Sequence, residues 1–294
     1  MVGRLKKLLP AKLRAKLGSD DVVIPVVKLS GAISDGGTAF RPTLNLGSCS
    51  LRLEKAFQTK GSPAVAIIVN SPGGSPVQSR LIYQRIRALS AEHNKKVHVF
   101  VEDAAASGGY MIACAGDDIT ADPSSIVGSI GVISASFGYV DAIEKIGVKR
   151  RVYTAGQNKS VLDPFLPEKK ADIDRLKALQ LEIHQIFIDL VKQSRGDRLI
   201  EHKDMFTGQF WTGGKGKELG LVDEIGDLRS SLQARYGKKT KIKLVEAKRG
   251  LFGNRVAAGV STVTGFDGEA LAAGAASGIM TAAEEKLLWN RLGL

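Results

Sequence analysis

The 294 residues carry 44% hydrophobic and 24% charged side chains, which suits a large soluble core and excludes a disordered chain. Lysine and arginine outnumber the acids 42 to 30, a formal charge of +12 that favours an anionic partner. Aromatics make up only 6%, and neither zinc-finger spacing nor an RNP-like aromatic pair occurs, so nucleic acid is set aside as a partner. Two cysteines, Cys49 and Cys114, and four scattered histidines (His93, His98, His184, His202) form no CxxC, no disulfide framework and no metal-ligand spacing. Neither a metal nor a cofactor is expected.

Residues 1–17 contain Arg4, Lys6, Lys7, Lys12, Arg14 and Lys16 and no acid, with Leu5, Leu8, Leu9, Leu13 and Leu17 at helical spacing and Pro10 interrupting them. No continuous apolar run follows, so the segment reads as neither a signal peptide nor a transmembrane helix. Two readings stay open for it: a basic amphipathic stretch on anionic lipid, or a solvated tail. Residues 22–29 spell a strand ending in a Ser-Gly turn, 33–48 a Gly-containing loop and 51–59 a helix. The nearly unbroken apolar run 64–69 predicts a strand buried on both faces, in a parallel sheet. It ends in Asn70-Ser-Pro-Gly-Gly-Ser75, and a helix follows from about Val77 with Leu81, Ile82, Ile86 and Leu89 on its apolar face.

The pattern then repeats. Strand 97–101 leads through small residues to Ser107-Gly108-Gly109 and a helix-favouring segment. Read alone, Ser107 is an ordinary N-cap. Two successive strand–glycine turn–helix units, however, predict an α/β fold, in which ligands sit where the strands end. Gly73 and Gly74 on one turn and Gly108 on the other then offer backbone N–H groups to one cleft, the donor pair of an oxyanion hole. Neither turn has a Walker lysine or GxGxxG spacing, so phosphate binding is the weaker reading. Downstream, Gly128-Ser129-Ile-Gly131 again sets a serine between glycines, 139–146 reads as a helix and 149–154 as a short strand. A loop then presents Lys159 among uncharged neighbours. A long amphipathic helix follows over 167–194, striped by Ile173, Leu176, Leu179, Ile183, Ile186 and Leu190. Phe210-Trp-Thr-Gly-Gly and Gly220 to Gly226 close the unit as strand, helix and turn.

Asn70-Ser-Pro-Gly-Gly, Ala106-Ser-Gly-Gly-Tyr110, Gly128-Ser129-Ile-Gly131, Ala155-Gly-Gln-Asn-Lys159 and Gly220-Leu-Val-Asp223 occur in that order. Together they resemble the signal peptide peptidase (SppA, or protease IV) family of serine peptidases, over residues 20–240. The resemblance implies a caseinolytic-protease/crotonase-like α/β spiral of repeated β-β-α units with a long C-terminal helix. It also implies a serine–lysine dyad: Ser107 as nucleophile, Lys159 as general base, Ser129 orienting the lysine, and Gly74 and Gly108 as oxyanion donors beside Gly73. The chemistry is coherent on its own terms. A free lysine, with a pKa of about 10.4, is no base at neutral pH, but burial disfavours its charged form. Val161, Leu162 and Phe165 are placed to exclude water around Lys159, which would then take the Ser107 proton on the way to an acyl-enzyme. His98, on a strand, is expected to pack rather than to act as the base.

The implied activity is endoproteolysis of apolar, extended peptides such as remnant signal peptides, by a homo-oligomer, with rings among the assemblies of single-length members. The implied location is cytoplasmic, or peripheral on the inner membrane. Three alternatives stay open: a phage capsid-maturation-type protease, a crotonase-like acyl-CoA enzyme, and a non-enzymatic basic scaffold. The expected division is a basic segment 1–19, a peptidase domain 20–245 and an Ala/Gly-rich tail 246–294. The uncharged part of that tail, 270–283, is shorter than the roughly twenty residues that span a bilayer. The tail is expected to be flexible or to dock on a neighbouring subunit through Leu287, Leu288 and Trp289.

Overall fold

Val- and Ile-rich runs without polar alternation need cover on both faces, and that is how they are used. The computed structural model describes residues 21–36, 43–156, 158–246 and 286–294. The basic segment 1–19, part of the Gly-containing loop (37–42) and the uncharged stretch 270–283 lie outside them. Strands β1 (Val23–Ser30), β2 (Ala64–Ser71) and β3 (Lys96–Ala106) pair in parallel as β3-β2-β1, with β8 (Lys241–Leu244) parallel on the far side of β1. The free edge of β3 forks. Its His98–Val101 pair with β4 (Asp118–Ala121), while Ala104–Ala106 pair with β5 (Ile126–Gly128). β4 continues to β7 (Glu224–Ile225), and β5 pairs antiparallel with β6 (Phe210–Thr212). The parallel α/β architecture is the one expected. β3 runs five residues past the predicted end because Ala104–Ala106 have β5 as a partner.

Helices cover this sheet. α1 (Leu46–Phe57) starts before the predicted residue 51, because Asn45 and Ser48 form a reciprocal capping box that an apolar count does not register. Its Cys49, Leu53 and Phe57 join Ile82, Ile86 and Leu89 of α2 (Pro76–His93) in the main core against β1 to β3. Leu81, predicted on that face, is 36% exposed. α3 (Gly108–Ala113) follows Ser107 and is buried throughout. α4 (Val140–Lys145) has no buried residue. The predicted strand 149–154 has no regular structure, since no other strand lies beside it.

In α5 (Lys170–Arg195) the predicted stripe is covered only near its C-terminal end, where Phe187, Leu190 and Val191 are buried; Leu179 and Ile186 remain about half exposed. The helix is anchored by Arg195, which is 1% exposed and forms a fork of two 2.8 Å hydrogen bonds to the Asp223 carboxylate. Burial alone would raise the Asp223 carboxyl, but the hydrogen bonds and charge of Arg195, with the Ile119 N–H, hold it below its usual range. α6 (Gly213–Glu218) and α7 (Leu228–Tyr236), capped by Asp227, complete the fold. Among the described residues no helix is long and apolar enough to cross a membrane.

Candidate active site

The site grows from the ends of β2 and β3. After Val69 the register shifts: Val69 lies opposite Val101, but Ser71 lies opposite Ala105. The Asn70 side chain spans the irregularity, donating to Asp103 at 2.7 Å and accepting from the Ala104 N–H at 3.1 Å. Asn70 therefore fixes how the turn Pro72-Gly73-Gly74 meets the end of β3. Gly73 has φ +105 and Gly74 φ +138, conformations that side chains avoid. A Cβ on Gly73 would lie 2.7 Å from Cβ of Ser107, and one on Gly74 would collide with the Ile33 carbonyl oxygen. The two turns thus touch backbone to backbone.

Ser107 sits between β3 and α3 at φ +51, ψ −121. Its side chain makes no capping hydrogen bond, so the N-cap reading does not apply. Its N–H donates to the Gly128 carbonyl at 2.8 Å, which ties the turn to β5. Among the described residues, no acceptor takes the backbone N–H of Gly74 or of Gly108. The Gly73 N–H, in contrast, donates to Oγ of Ser71 at 3.2 Å, leaving Gly73 to shape the turn.

Ser107, Gly108, Gly74 and Ser129 line one cavity of about 630 Å³. Ser129 enters it from the end of β5 at φ +53, its N–H donating to the Gln209 carbonyl at 2.8 Å. Lys159 does not line that cavity. It is exposed within the single chain, on an irregular stretch whose Val161 is 36% exposed, so the enclosure expected there is not formed by this chain alone. Asp163, nearby in sequence, is engaged instead by Arg150 and the Phe165 N–H, each at 3.0 Å.

His98 is buried away from the cavity, with its ring nitrogens 2.7 Å from Asp118 and 2.7 Å from the Tyr236 hydroxyl. Burial pushes the Cys114 thiol up to about 12 and that of Cys49 to about 11, so neither supplies a thiolate at neutral pH.

Three contributions escaped the sequence reading. Tyr110 of the Ser-Gly-Gly-Tyr run donates its hydroxyl to the Leu221 carbonyl at 2.8 Å, locking α3 to the Gly220–Asp223 turn. His184 of α5 lines the cavity, a ring nitrogen 3.0 Å from the Ile130 carbonyl. Its signal was its place beside Ile183 on the helical stripe. Leu288, Arg291 and Leu292 line the cavity as well. Trp289 and Leu292 pack on Ala104, Ala106 and Ile126 of the same chain.

Residues 90–243 match peptidase family S49. The chain belongs to that family. Among its S49 relatives, Protease 4 of Haemophilus influenzae is 33% identical over 71% of this chain and 34% of its own length. The chloroplastic serine protease SPPA of Arabidopsis thaliana is 29% identical over 67% of this chain and 30% of its own. A Brucella abortus (strain 2308) protein named as the Na(+)/H(+) antiporter NhaA is 58% identical over 99% of this chain. The chain spans only 39% of the length of that Brucella relative.

Proposed function

We propose that this S49 chain is a serine endopeptidase with Ser107 as nucleophile and Lys159 as general base. The observation that carries the reading is Ser107 itself, a non-glycine residue at φ +51 on a strand–helix turn, facing a cavity beside two N–H groups without acceptors. Such backbone outliers cluster at active sites. In the proposed cycle Oγ of Ser107 attacks a substrate carbonyl while its proton passes to the Lys159 amine. The Gly74 and Gly108 N–H groups receive the oxyanion. The lysine returns the proton to the leaving amine, leaving an acyl-enzyme that water hydrolyses by the same steps in reverse order. Ser129, on the cavity wall, orients the amine through a hydrogen bond.

An amine serves as the base only where water is excluded. Lys159 therefore acts once the stretch around it is covered. We assign that cover to a second copy of the chain in a homo-oligomer, supported by Phe137, Ile146 and Tyr153, which are 73%, 73% and 91% exposed. Apolar, extended peptides such as remnant signal peptides are the proposed substrates, supported by Met111, Ile133 and Phe187 on the cavity wall. A membrane-surface location is supported by the basic residues 1–17 and by the antiporter name of the Brucella relative. Removal of residues 1–18 is expected to release the protein from anionic liposomes; salt-insensitive binding that survives the deletion removes this assignment.

The deciding experiment pairs a fluorophosphonate probe with quenched-peptide hydrolysis. Ser107→Ala is expected to lose both labelling and hydrolysis, Lys159→Ala to lose hydrolysis by about 10³-fold or more, and His98→Ala to keep most of it. An active Lys159→Ala beside a dead His98→Ala would overturn the dyad. Absence of labelling in the wild type would favour a non-covalent, crotonase-like reading.

A further inference from the structure

Residues 286–294 form part of the cavity's wall, and that wall is anchored. Trp289 and the 9%-exposed Leu292 pack against Ala104 and Ala106 of β3 and Ile126 of β5, the strands that lead into Ser107 and Ser129. The segment also presents Arg291 to the same cavity as Ser107. Arg291 is the one lysine or arginine among the lining residues, and no aspartate or glutamate lines the cavity beside it. His184 also lines the cavity, a ring nitrogen 3.0 Å from the Ile130 carbonyl.

Arg291 contrasts with the arginines placed deeper in the fold. Arg195 is matched to Asp223, and Arg235 to Asp118 and Glu224. Among the described residues, neither an ion pair nor a side-chain hydrogen bond engages the Arg291 guanidinium. An uncompensated guanidinium beside an otherwise uncharged cleft attracts an anion. Its planar fork fits a carboxylate with two parallel hydrogen bonds.

We propose that Arg291 is a specificity determinant that holds a carboxylate of the peptide lying across Ser107. The inference rests on the peptidase reading above and adds a charge requirement to it. The preferred substrate is an apolar peptide with one anionic group within reach of Arg291. That group is either the free α-carboxylate left by an earlier cut or an Asp or Glu side chain. In the first case, the enzyme acts downstream of another endopeptidase, on peptides that reaction has released.

Three quenched apolar peptides of one sequence test this: a free acid, its C-terminal amide, and the amide with a single glutamine replaced by glutamate. Wild-type protein is expected to favour a carboxylate-bearing peptide over the neutral amide by about tenfold in kcat/KM, the lower range for a hydrogen-bonded charge open to solvent. Preference for the free acid assigns the α-carboxylate, and preference for the glutamate peptide assigns the side chain. Arg291→Gln should bring the ratio to about one, Arg291→Lys should retain part of it, and Lys286→Gln, which removes a neighbouring exposed charge, should leave it as in the wild type.

An unchanged ratio in Arg291→Gln, or no preference in the wild type, overturns the proposal. So does a truncation of residues 286–294 that speeds hydrolysis of all three peptides equally, because the segment would then be a plug. Fluorophosphonate labelling of Ser107 separates the two levels. Labelled protein with an unchanged ratio removes only the role of Arg291, whereas unlabelled, inactive wild type removes the peptidase reading and this inference with it.

Discussion

On the side of the cleft that carries Ser107, Ser71 to Gly73, Ala104 to Ala106 and Gly108 to Ala113 are buried, and each is held by strand pairing or by core contacts. On the side that carries Lys159, no described residue from 131 to 171 is buried, and the segment's regular structure amounts to α4 and the first residues of α5. The first region takes its geometry from a core that one chain makes alone. The second has apolar side chains but no core to put them in. Under the proposed dyad, Ser107 is placed with tight tolerance on one wall while Lys159 waits on assembly.

The ion pairs of the two regions give the sharpest way to break this contrast. Arg195→Met leaves the Asp223 carboxylate without its buried partner and is expected to cost about 3–5 kcal/mol, read from the urea midpoint. Arg150→Met removes the ion pair to Asp163 on the exposed segment, where the arginine is 46% exposed, and should cost no more than about 1 kcal/mol. Equal losses would mean that the exposed segment is as tightly built as the core.

Next in size is Gly74→Ala. Its Cβ would collide with the Ile33 carbonyl, so the turn must shift and take its N–H with it. We expect kcat/KM to fall by about 10²–10³-fold, and activity within twofold of wild type would remove Gly74 from the oxyanion role.

Acid should weaken the buried ion pairs. For Asp118, burial opposes ionisation but hydrogen bonds from His98 and Arg235 outweigh it, and for Asp223 Arg195 does the same, so both carboxyls titrate below their usual range. Their folded pKa values are depressed. The stability they contribute is therefore present above the unfolded value of about 3.9 and is lost as pH falls through the folded values. Thermal melts should be flat above about pH 5 and drop below about pH 4.

The smallest change in stability is expected on the exposed side. Phe137→Ser and Tyr153→Ser should alter the unfolding free energy by no more than about 0.5 kcal/mol. If a second copy covers them, sedimentation should nevertheless show smaller species, and hydrolysis should fall. Unaltered sedimentation and full activity would mean that Lys159 reaches Ser107 without that contact.

Much of the buried region was legible because its rules are local. Nearly unbroken apolar runs marked β1 and β2, and paired glycines marked the turn at 73–74 and the start of α3 after Ser107. The exposed region was read less well for the same reason. Residues 149–154 read as a strand, but a strand needs a partner, and among the described residues none lies beside them. Periodicity in α5 identified an apolar face without saying that Leu179 and Ile186 would stay largely uncovered. The spacing to Lys159 says nothing about where its segment is carried. Arg291 was missed because its position depends on Trp289 and Leu292 finding the ends of β3 and β5, a long-range match that no window around it contains.

The backbone shape at Ser107 has one more effect. Glycine adopts φ +51, ψ −121 freely, whereas serine holds it at a cost on the order of 1–3 kcal/mol. Replacing Ser107 by glycine should therefore yield a dead protein that survives heating better than the working one, by more than the alanine replacement does. Under the proposed role of Ser107, durability and turnover pull on this one position in opposite directions, and the rest of the sheet bears the tension.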